Sequence, residues 1–303
     1  MYLEHFGLRA LPFGITPDTS FYFDSPSHQE ALNVLLVALR SGEGFLKVTG
    51  EVGTGKTLLC RRLLHVLDQE FVTAYIPDPF LTPTALRMAL AEELGIKCAR
   101  NLGQHALLKL ITERLVEINA TGKRVVLLLD EAQALPDDSL EALRLLTNLE
   151  TEKDKLLLVV LFGQPELDER LAQKKFRQLR QRIIFSYALR PLSAEECSAY
   201  LQHRLAIAGS DGRELFDTRA YTSLTKASRG IPRLLNILGH KALMAGFGQG
   251  AGRITASQVH QAIADTEGAT QLSRWRRPWT FNALSAFGTA ATLAGVSLML
   301  VGV

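Results

Sequence analysis

The chain has 303 residues, 47% of them hydrophobic and 21% charged, which excludes a disordered chain and allows about two domains. The formal net charge of +3, with Lys and Arg spread along the chain, argues against a nucleic-acid partner. Cys60, Cys98 and Cys197 lie far apart, so we interpret them as reduced, part-buried thiols in the cytosol and not as a disulfide framework or metal site. The N-terminus lacks the pattern of a secretory signal peptide.

Residues 1–27 form a loop-rich segment in which aromatic residues alternate with prolines. Such a segment cannot form a core alone, so we expect it to lie over the domain that follows. Its aromatic side chains are interpreted either as ordinary packing or as one wall of a ligand pocket, because such pockets are mainly apolar and aromatic. The residues concerned are Phe6, Phe13, Phe21, Tyr22 and Phe23.

The first predicted helix runs through Ala31–Leu39 and ends before Gly42. Ser27 followed three residues later by Glu30 predicts a capping box at its start.

A glycine-rich loop between a predicted strand and a predicted helix is the strongest motif of the chain. Two glycines with four residues between them, followed by Lys and Thr, match the P-loop, whose backbone N–H groups cradle phosphates. In this pattern Lys56 reaches the β- and γ-phosphates and Thr57 binds Mg²⁺. The flanks are strand Phe45–Thr49 and helix Thr57–Leu67, whose N-terminus faces the phosphates. The loop residues are Gly50, Glu51, Val52, Gly53, Thr54, Gly55, Lys56 and Thr57. The expected ligands are therefore ATP and Mg²⁺, and the aromatic residues upstream become candidates for an adenine pocket.

Strands and helices then alternate, which predicts an α/β fold with an open parallel sheet flanked by helices. The run Val125–Leu129 is apolar throughout, as expected of a parallel strand buried on both faces. The predicted strands are Phe71–Ile76, Lys123–Asp130, Lys155–Phe162 and Arg182–Leu189, and the helices are Thr82–Leu94, Gln104–Ala120, Asp138–Glu150 and Pro165–Phe176.

Polar side chains follow two of these strands. Asp130 and Glu131 come directly after the apolar run, at the strand end that faces the ligand crevice of such a sheet. Asp130 suits a Mg²⁺ site, and Glu131 is placed to polarise an attacking water; the alternative is a turn with solvated acids. Gln164 follows the next strand. It is interpreted either as a partner of the γ-phosphate or the attacking water, or as a cap of the helix beginning near Pro165.

Arginines form two further groups. Arg177, Arg180 and Arg182 lie close together, and an Arg supplied to a neighbouring subunit can stabilise transition-state charge, although such runs are also typical of solvated faces. Arg233 lies in Gly-Ile-Pro-Arg, in the first turn of a predicted helix. Because a cation there opposes the helix dipole, we expect Arg233 to serve a phosphate.

Pro191 marks a domain boundary, beyond which the pattern is helical only. The predicted helices are Ser193–Ala208, which starts with a capping box, Asp217–Arg229, Pro232–Phe247 and Ala256–Asp265.

The last stretch, Thr280–Val303, carries no charged residue and is long enough to span a bilayer. The linker before it, 271–279, contains three Arg and two Trp, which indicates a cytoplasmic flank at the membrane interface. We expect a single span that leaves residues 1–279 in the cytoplasm; the alternative is a buried C-terminal helix. The predicted division of the chain is 1–27, 28–190, 191–270, 271–279 and 280–303.

Together these motifs resemble those of the AAA+ ATPases, and their amino-acid sequences are similar to those of the ExeA/GspA-like secretion ATPases. A further similarity is to the MshM branch, which is linked to MSHA type IV pilus biogenesis. The stretches that carry the resemblance are Phe6–Leu8, Pro12–Phe13, Thr16–Asp18, Gly50–Thr57, Asp130–Gln133, Leu143–Glu150, Gly163–Leu167 and Gly230–Asn236, with Met1–Leu8 and His28–Leu36 for the pilus branch.

The resemblance implies a P-loop core (28–190) with a helical lid (191–270). It implies an enzyme that hydrolyses ATP with Mg²⁺ to support pilus or type II secretion assembly at the bacterial inner membrane. Asp130 and Glu131 would be Walker B, Gln164 sensor 1 and Arg233 sensor 2, with Arg180 or Arg182 as the arginine finger of a homo-oligomer. Longer family members continue into a periplasmic peptidoglycan-binding domain; the sequence ends at Val303, as a short form or a truncated one.

Two alternatives remain open at this point. One is a DNA-associated, transposition-type AAA+ ATPase, against which the small net charge and the apolar tail argue. The other is a nucleotide-gated scaffold with little turnover.

Overall fold

A computed structural model of the chain describes residues 2–16, 18–67, 70–97, 102–151 and 154–269. Its helices are α1 Tyr2–His5, α2 Pro26–Arg40, α3 Lys56–Leu67, α4 Pro83–Glu93, α5 Gln104–Ala120, α6 Asp137–Leu146, α7 Pro165–Leu171, α8 Arg177–Arg182, α9 Ala194–Ile207, α10 Thr218–Ser228, α11 Pro232–Gly248 and α12 Ala256–Ala264. Its strands are β1 Phe45–Gly50, β2 Phe71–Ile76, β3 Arg124–Leu129, β4 Leu157–Gly163 and β5 Phe185–Leu189.

The five strands form one parallel sheet in the order β2-β3-β4-β1-β5. Because all strands run the same way, the ends of β1, β3 and β4 meet at one edge, and β3 is hydrogen-bonded directly to β4. The α/β sheet predicted from the alternating pattern is therefore confirmed, and it brings the P-loop, the Asp130–Glu131 pair and Gln164 to the same edge.

Two apolar cores cover the two faces of the sheet. One packs β-strand side chains against α4, α5, α6 and α7, and the other packs them against α2 and α3. Central strands β3 and β4 are almost entirely buried, whereas the edge strand β5 is largely exposed. The continuous apolar runs of β3 and β4 follow from burial on both faces.

A third core belongs to the helices after Pro191 and to the N-terminal segment. Phe6 and Phe13, each 2% exposed, pack among residues of α9 and α11 such as Leu201 and Leu238. The expectation that residues 1–27 lie over the sheet domain is therefore wrong for these rings, which complete the core of the helical region instead. A helical region of about 75 residues gains apolar area from such an addition.

Several predicted boundaries are also wrong. The N-cap of α2 is Ser25, because Pro26 suits the first helical position, where its fixed φ and missing N–H carry no penalty. Ser27 instead lies inside the helix, where its hydroxyl accepts a hydrogen bond from the Arg190 N–H. The capping box of α9 at Ser193 and Glu196 is confirmed.

Other helices are shorter than predicted. Helix α6 ends at Leu146, and the predicted helix Pro165–Phe176 ends at Leu171 and is followed by a 3₁₀ turn. Arg182 lies in α8 and not in the last strand, which begins at Phe185. Leu179 anchors α8 because its side chain is buried. Ile183 and Ile184, which follow α8, are β-branched residues typical of strands, so the sequence predicts the strand to begin too early.

Cys60 and Cys197 are free thiols, and both are fully buried where the prediction had them part-buried. Cys98, the linker 271–279 and the predicted span Thr280–Val303 lie outside the described residues. Among the residues described up to 269, no helix combines the length and apolar character needed to cross a membrane.

Candidate nucleotide site

A cleft of about 350 Å³ lies at the ligand-binding edge of the sheet, between the P-loop, the start of α11 and the N-terminal segment. Its lining includes the predicted residues Val52, Gly53, Gly55, Lys56, Thr57, Glu131, Gln164 and Arg233. The structure therefore places residues from three distant parts of the chain around one cavity.

The P-loop has a shape that only glycine allows at two positions. Gly53 and Gly55 have φ of 85° and 98°, in the left-handed region. A Cβ on Gly53 would lie 2.6 Å from the Arg233 Cβ, and one on Gly55 would lie 2.8 Å from the His28 Nε2. The loop is thus closely surrounded and presents its backbone as an anion cradle at the N-terminus of α3.

Lys56 lies inside this loop and is only 5% exposed. Its Nζ donates to the carbonyl oxygens of Gly50 at 2.7 Å and Glu51 at 3.0 Å. Burial lowers the pKa of the ammonium group, and the carboxylates of Glu131 and Asp130 oppose this shift. A phosphate arriving in the cleft would meet a cation that is already held in place by the loop.

Asp130 and Thr57 supply the oxygens expected of a Mg²⁺ site. Asp130 is 2% exposed and its carboxylate is hydrogen-bonded to Thr57. Burial raises the pKa of Asp130, while the bonds from Thr57 and from the Glu131 N–H lower it. The described residues contain no group of three or more His, Cys, Asp or Glu that could hold a metal ion. One carboxylate and one hydroxyl suit Mg²⁺, which takes its other ligands from water and phosphate oxygens.

Glu131 begins a tight turn after β3 and has a left-handed φ of 48°. Its Oε2 accepts a hydrogen bond from Gln164 Nε2 at 3.1 Å. Gln164 is the N-cap residue of α7, but its side chain makes no capping bond. The Gln164 side chain is therefore bonded to Glu131 at the cleft and does not cap α7, which favours its interpretation as a partner of the γ-phosphate or the attacking water.

A second side-chain amide, that of Gln133, is hydrogen-bonded to the Glu131 carboxylate and was not predicted. Gln133 Nε2 donates to the same Oε2 at 2.5 Å, and Gln133 Oε1 accepts from the Gln164 N–H at 3.0 Å. Gln133 is the last residue of the Asp130–Gln133 motif. Its position two residues after Glu131 was the only feature of the sequence that could have indicated this contact.

The start of α11 closes the cleft from the opposite side. The Arg233 N–H donates to the Gly53 carbonyl oxygen at 3.2 Å, which ties the helical region to the P-loop. The Arg233 side chain is exposed and lines the cleft. Because Pro232 occupies the first helical position, Arg233 lies in the first turn, where the helix dipole favours a bound anion over a cation.

The arginines of α8 do not line this cleft. Arg177 and Arg180 are exposed. Arg182 is half-buried and donates to the Thr147 hydroxyl at 3.1 Å and to the Arg144 carbonyl oxygen at 3.4 Å. Of the two candidates for a residue acting on a neighbouring subunit, Arg180 is thus the more accessible.

A buried arginine that was not predicted from the sequence fastens the N-terminal segment to the helical region. Arg204 is 6% exposed and donates to the carbonyl oxygens of Pro12 and Gly14 and to the Tyr200 hydroxyl. Asn236 donates to the same Gly14 oxygen at 3.3 Å. An Arg at a core position of α9 was the only signal in the sequence, and its partners could not be deduced from it.

A smaller cavity of about 40 Å³ adjoins Gly55 and is lined by Phe21, Tyr22, Phe23 and His28. The Tyr22 hydroxyl is buried and has no hydrogen-bond partner among the described residues. Phe21, Tyr22 and Phe23 therefore border a small cavity beside the P-loop, whereas Phe6 and Phe13 pack in the core of the helical region. The adenine interpretation stays a prediction for the first three.

His28 is a buried imidazole against the P-loop, with its Nδ1 2.6 Å from the Ser25 Oγ. Burial lowers its pKa below the ordinary 6.5, and hydrogen bonding to the backbone of Gly55 and the carboxylates of Asp24 and Glu196 partly oppose this. The unfolded chain therefore binds a proton at higher pH than the folded chain does. We expect the free energy of unfolding to fall as pH drops below about 6.5 and to level off below the folded-state pKa.

Urea unfolding of the wild type and His28→Gln across this pH range measures the effect. His28→Gln should lose part of the pH slope, and His65→Gln, at an exposed position of α3, should keep it. Equal slopes for all three proteins would show that His28 is not the titrating group.

Comparison with known proteins agrees with this site. Residues 39–171 match a family model described as an AAA domain. The chain is 41% identical over 302 residues to "General secretion pathway protein A" of Aeromonas hydrophila. The match covers 100% of this chain and 53% of the relative, so the chain spans about half the length of that protein.

Solved structures share the fold at low identity. Cdc6p from Pyrobaculum aerophilum superposes with a TM-score of 0.63 and 19% identity, covering 82% of this chain and 70% of that one. The Drosophila ORC bound to DNA gives a TM-score of 0.63 and 18% identity over 86% and 67% of the two chains. The RuvB Holliday junction branch migration motor of Thermotoga maritima superposes with a TM-score of 0.52 and 17% identity, covering 83% of this chain and 73% of that one. These likenesses concern the fold alone. Because residues 39–171 match an AAA domain and the whole of this chain is 41% identical to part of general secretion pathway protein A, the chain belongs to the ExeA/GspA-like AAA+ ATPases.

Proposed function

We propose that this chain binds ATP with Mg²⁺ and hydrolyses it. The observation that carries the proposal is the placement of Glu131 at the cleft, one residue after the buried Asp130 that is bonded to Thr57 and across from the P-loop. A P-loop alone supports binding, whereas a carboxylate beside it supports activation of water.

The residues divide the work of binding. The backbone of Gly50–Thr57 and the Lys56 ammonium bind the phosphates, and Phe21, Tyr22 and Phe23 border the base. Thr57 and Asp130 hold Mg²⁺, which neutralises charge on the phosphate oxygens when bound. Arg233 contributes a cation from the helical lid as sensor 2.

Hydrolysis transfers the γ-phosphoryl group to water. Glu131 accepts a proton from the water while the water oxygen forms a bond to the γ-phosphorus. The bond between the γ-phosphorus and the β–γ bridging oxygen breaks, and that oxygen leaves with ADP. Gln164, as sensor 1, orients Glu131 and the γ-phosphate. Arg180 is the preferred finger, supplied to the site of a second copy in a homo-oligomer, because Arg182 is engaged within its own chain.

The cellular process that ATP hydrolysis would serve is inferred from sequence similarity to other proteins. The general secretion pathway protein A of Aeromonas hydrophila supports a type II secretion role, and the sequence similarity to the MshM branch supports MSHA-like pilus assembly. We place the chain at the bacterial inner membrane, with residues 28–190 as core and 191–270 as lid in the cytoplasm. The anchor is residues 280–303, and the partners are inner-membrane assembly proteins.

Phosphate release by the purified full chain tests the proposed activity. We expect steady release from ATP with Mg²⁺ and none after the divalent cation is removed with EDTA. ATP binding without release at any Mg²⁺ concentration would leave a nucleotide-gated scaffold as the function. Carbonate extraction of membranes from cells expressing the full chain tests the anchor, since a peripheral protein would wash off.

A further inference from the structure

Gln133 joins the two polar groups to which the proposed mechanism gives separate tasks. Its Nε2 donates to Glu131 Oε2 at 2.5 Å, and its Oε1 accepts from the backbone N–H of Gln164 at 3.0 Å. One side chain thus connects the turn after β3 to the turn after β4. A side-chain amide can do both, since it carries an N–H donor and a carbonyl acceptor on the same group.

The backbone of Gln133 is held in turn by Arg170 of α7. The Arg170 guanidinium donates to the carbonyl oxygens of Gln133 at 2.7 Å and Leu135 at 2.8 Å, and to Asp137 Oδ1 at 2.6 Å. Three acceptors use the planar fork of one arginine, which fixes the short 3₁₀ turn Ala132–Ala134 that carries Gln133. The position of Gln133 is therefore determined from outside its own turn.

This support matters because Glu131 starts from an unfavourable backbone. A non-glycine residue at φ 48° carries strain of roughly 1 kcal/mol or more, and it persists only where the surroundings hold it. The described contacts of the Glu131 carboxylate come from the two amides, Gln133 and Gln164. Without Gln133 the carboxylate would keep one donor and gain freedom to rotate away from the cleft.

We propose that Gln133 is a positioning residue for hydrolysis, which aims the Glu131 carboxylate into the cleft and is itself anchored by Arg170. The proposal rests on the proposed function, because it assigns Gln133 a role through the water-activating Glu131. It gives the Asp130–Gln133 motif a function at its fourth position as well as at its first two.

The same network reaches the segment that carries the accessible arginines. Asp137, which pairs with Arg170, also pairs with Lys175, two residues before α8 begins. A continuous series of contacts therefore runs from Lys175 through Asp137, Arg170 and Gln133 to Glu131. If a second copy of the chain contacted α8, it would therefore touch a segment that is linked to Glu131 of the same chain as that α8.

Steady-state kinetics of Gln133 variants test the proposal. We expect Gln133→Ala to lower kcat by about 10-fold with the KM for ATP unchanged, as for the loss of an orienting contact behind a reacting group. Gln133→Glu has the same size and keeps the acceptor for Gln164, but it replaces the donor with a carboxylate facing Glu131. Its kcat should be at least as low. Gln173→Ala, at an exposed position after α7, is the matched control and should behave as wild type.

A double substitution separates positioning from a structural role. If Gln133 acts through Glu131, adding Gln133→Ala to Glu131→Gln lowers the single-turnover rate no further. Arg170→Gln should reproduce the kcat loss with KM unchanged. An active wild type with unaltered kcat in Gln133→Ala, or a further loss in the double variant, would overturn the proposal. An inactive wild type would instead overturn the proposed function.

Discussion

Replacing Glu131 with Gln is expected to lower kcat for ATP hydrolysis by at least about 100-fold, the usual contribution of a general base. The substitution keeps the size of the side chain and removes only its ability to take a proton. A Gln at this position can still accept hydrogen bonds from Gln133 and Gln164, whose donors meet one oxygen of Glu131. The fold and ATP binding should therefore persist, and ATP should accumulate on the protein.

Phosphate release and equilibrium binding of a fluorescent ATP analogue measure the two halves of this result. Glu169→Gln is the matched control, since it makes the same change at an exposed position of α7. If Glu131→Gln released phosphate at the wild-type rate, Glu131 would not be the base. A loss of binding in parallel with turnover would point to a structural role instead.

The parts of the site that are local in sequence could be predicted from it. Gly50–Thr57, Asp130 and Gln164 each sit next to a recognisable strand, and a parallel sheet brings the ends of its strands to one edge. Periodicity and turn residues therefore sufficed to place them. The same logic located Arg233, because Pro232 marks the helix start in the sequence.

The parts that depend on long-range packing could not be predicted. Arg170 contacts Gln133 across 37 positions of the chain, and Arg204 contacts Pro12 across 192. Arg170 resembles an Arg on a solvated face, and the core position of Arg204 in α9 does not indicate which groups it contacts. Phe6 and Phe13 were placed wrongly for the same reason, since an apolar segment indicates that it will be buried but does not indicate against which surface.

The packing of the N-terminal segment bears on the site. Residues Gly14 to Thr16 line the cleft, and the Gly14 carbonyl oxygen accepts hydrogen bonds from Arg204 of α9 and Asn236 of α11. Since α11 also contacts the P-loop at Gly53, the N-terminal segment and the helical region border the cleft as one unit. A change that loosens this unit should alter the stability of the helical region and the geometry of the cleft together.

Gly230 is a position in the helical region where an added side chain would clash with the backbone. It follows α10 with φ of 76°, and a Cβ there would lie 2.1 Å from the Leu192 carbonyl oxygen. The Gly230 carbonyl oxygen also accepts from the Leu192 N–H at 2.9 Å, so the two backbones cannot separate freely. We expect Gly230→Ala to lower the free energy of unfolding by roughly 3 kcal/mol, from left-handed strain plus backbone displacement.

Gly212→Ala separates these two contributions. Gly212 has a similar φ of 85°, but a Cβ there would meet nothing within 4 Å. Its substitution should cost only the left-handed strain, about 1 kcal/mol. Urea unfolding gives both values, and equal losses would show that the Leu192 contact is relieved without cost. Because Gly230 lies three residues before Arg233, whose N–H reaches Gly53, Gly230→Ala should also raise the KM for ATP, whereas Gly212→Ala should leave it unchanged.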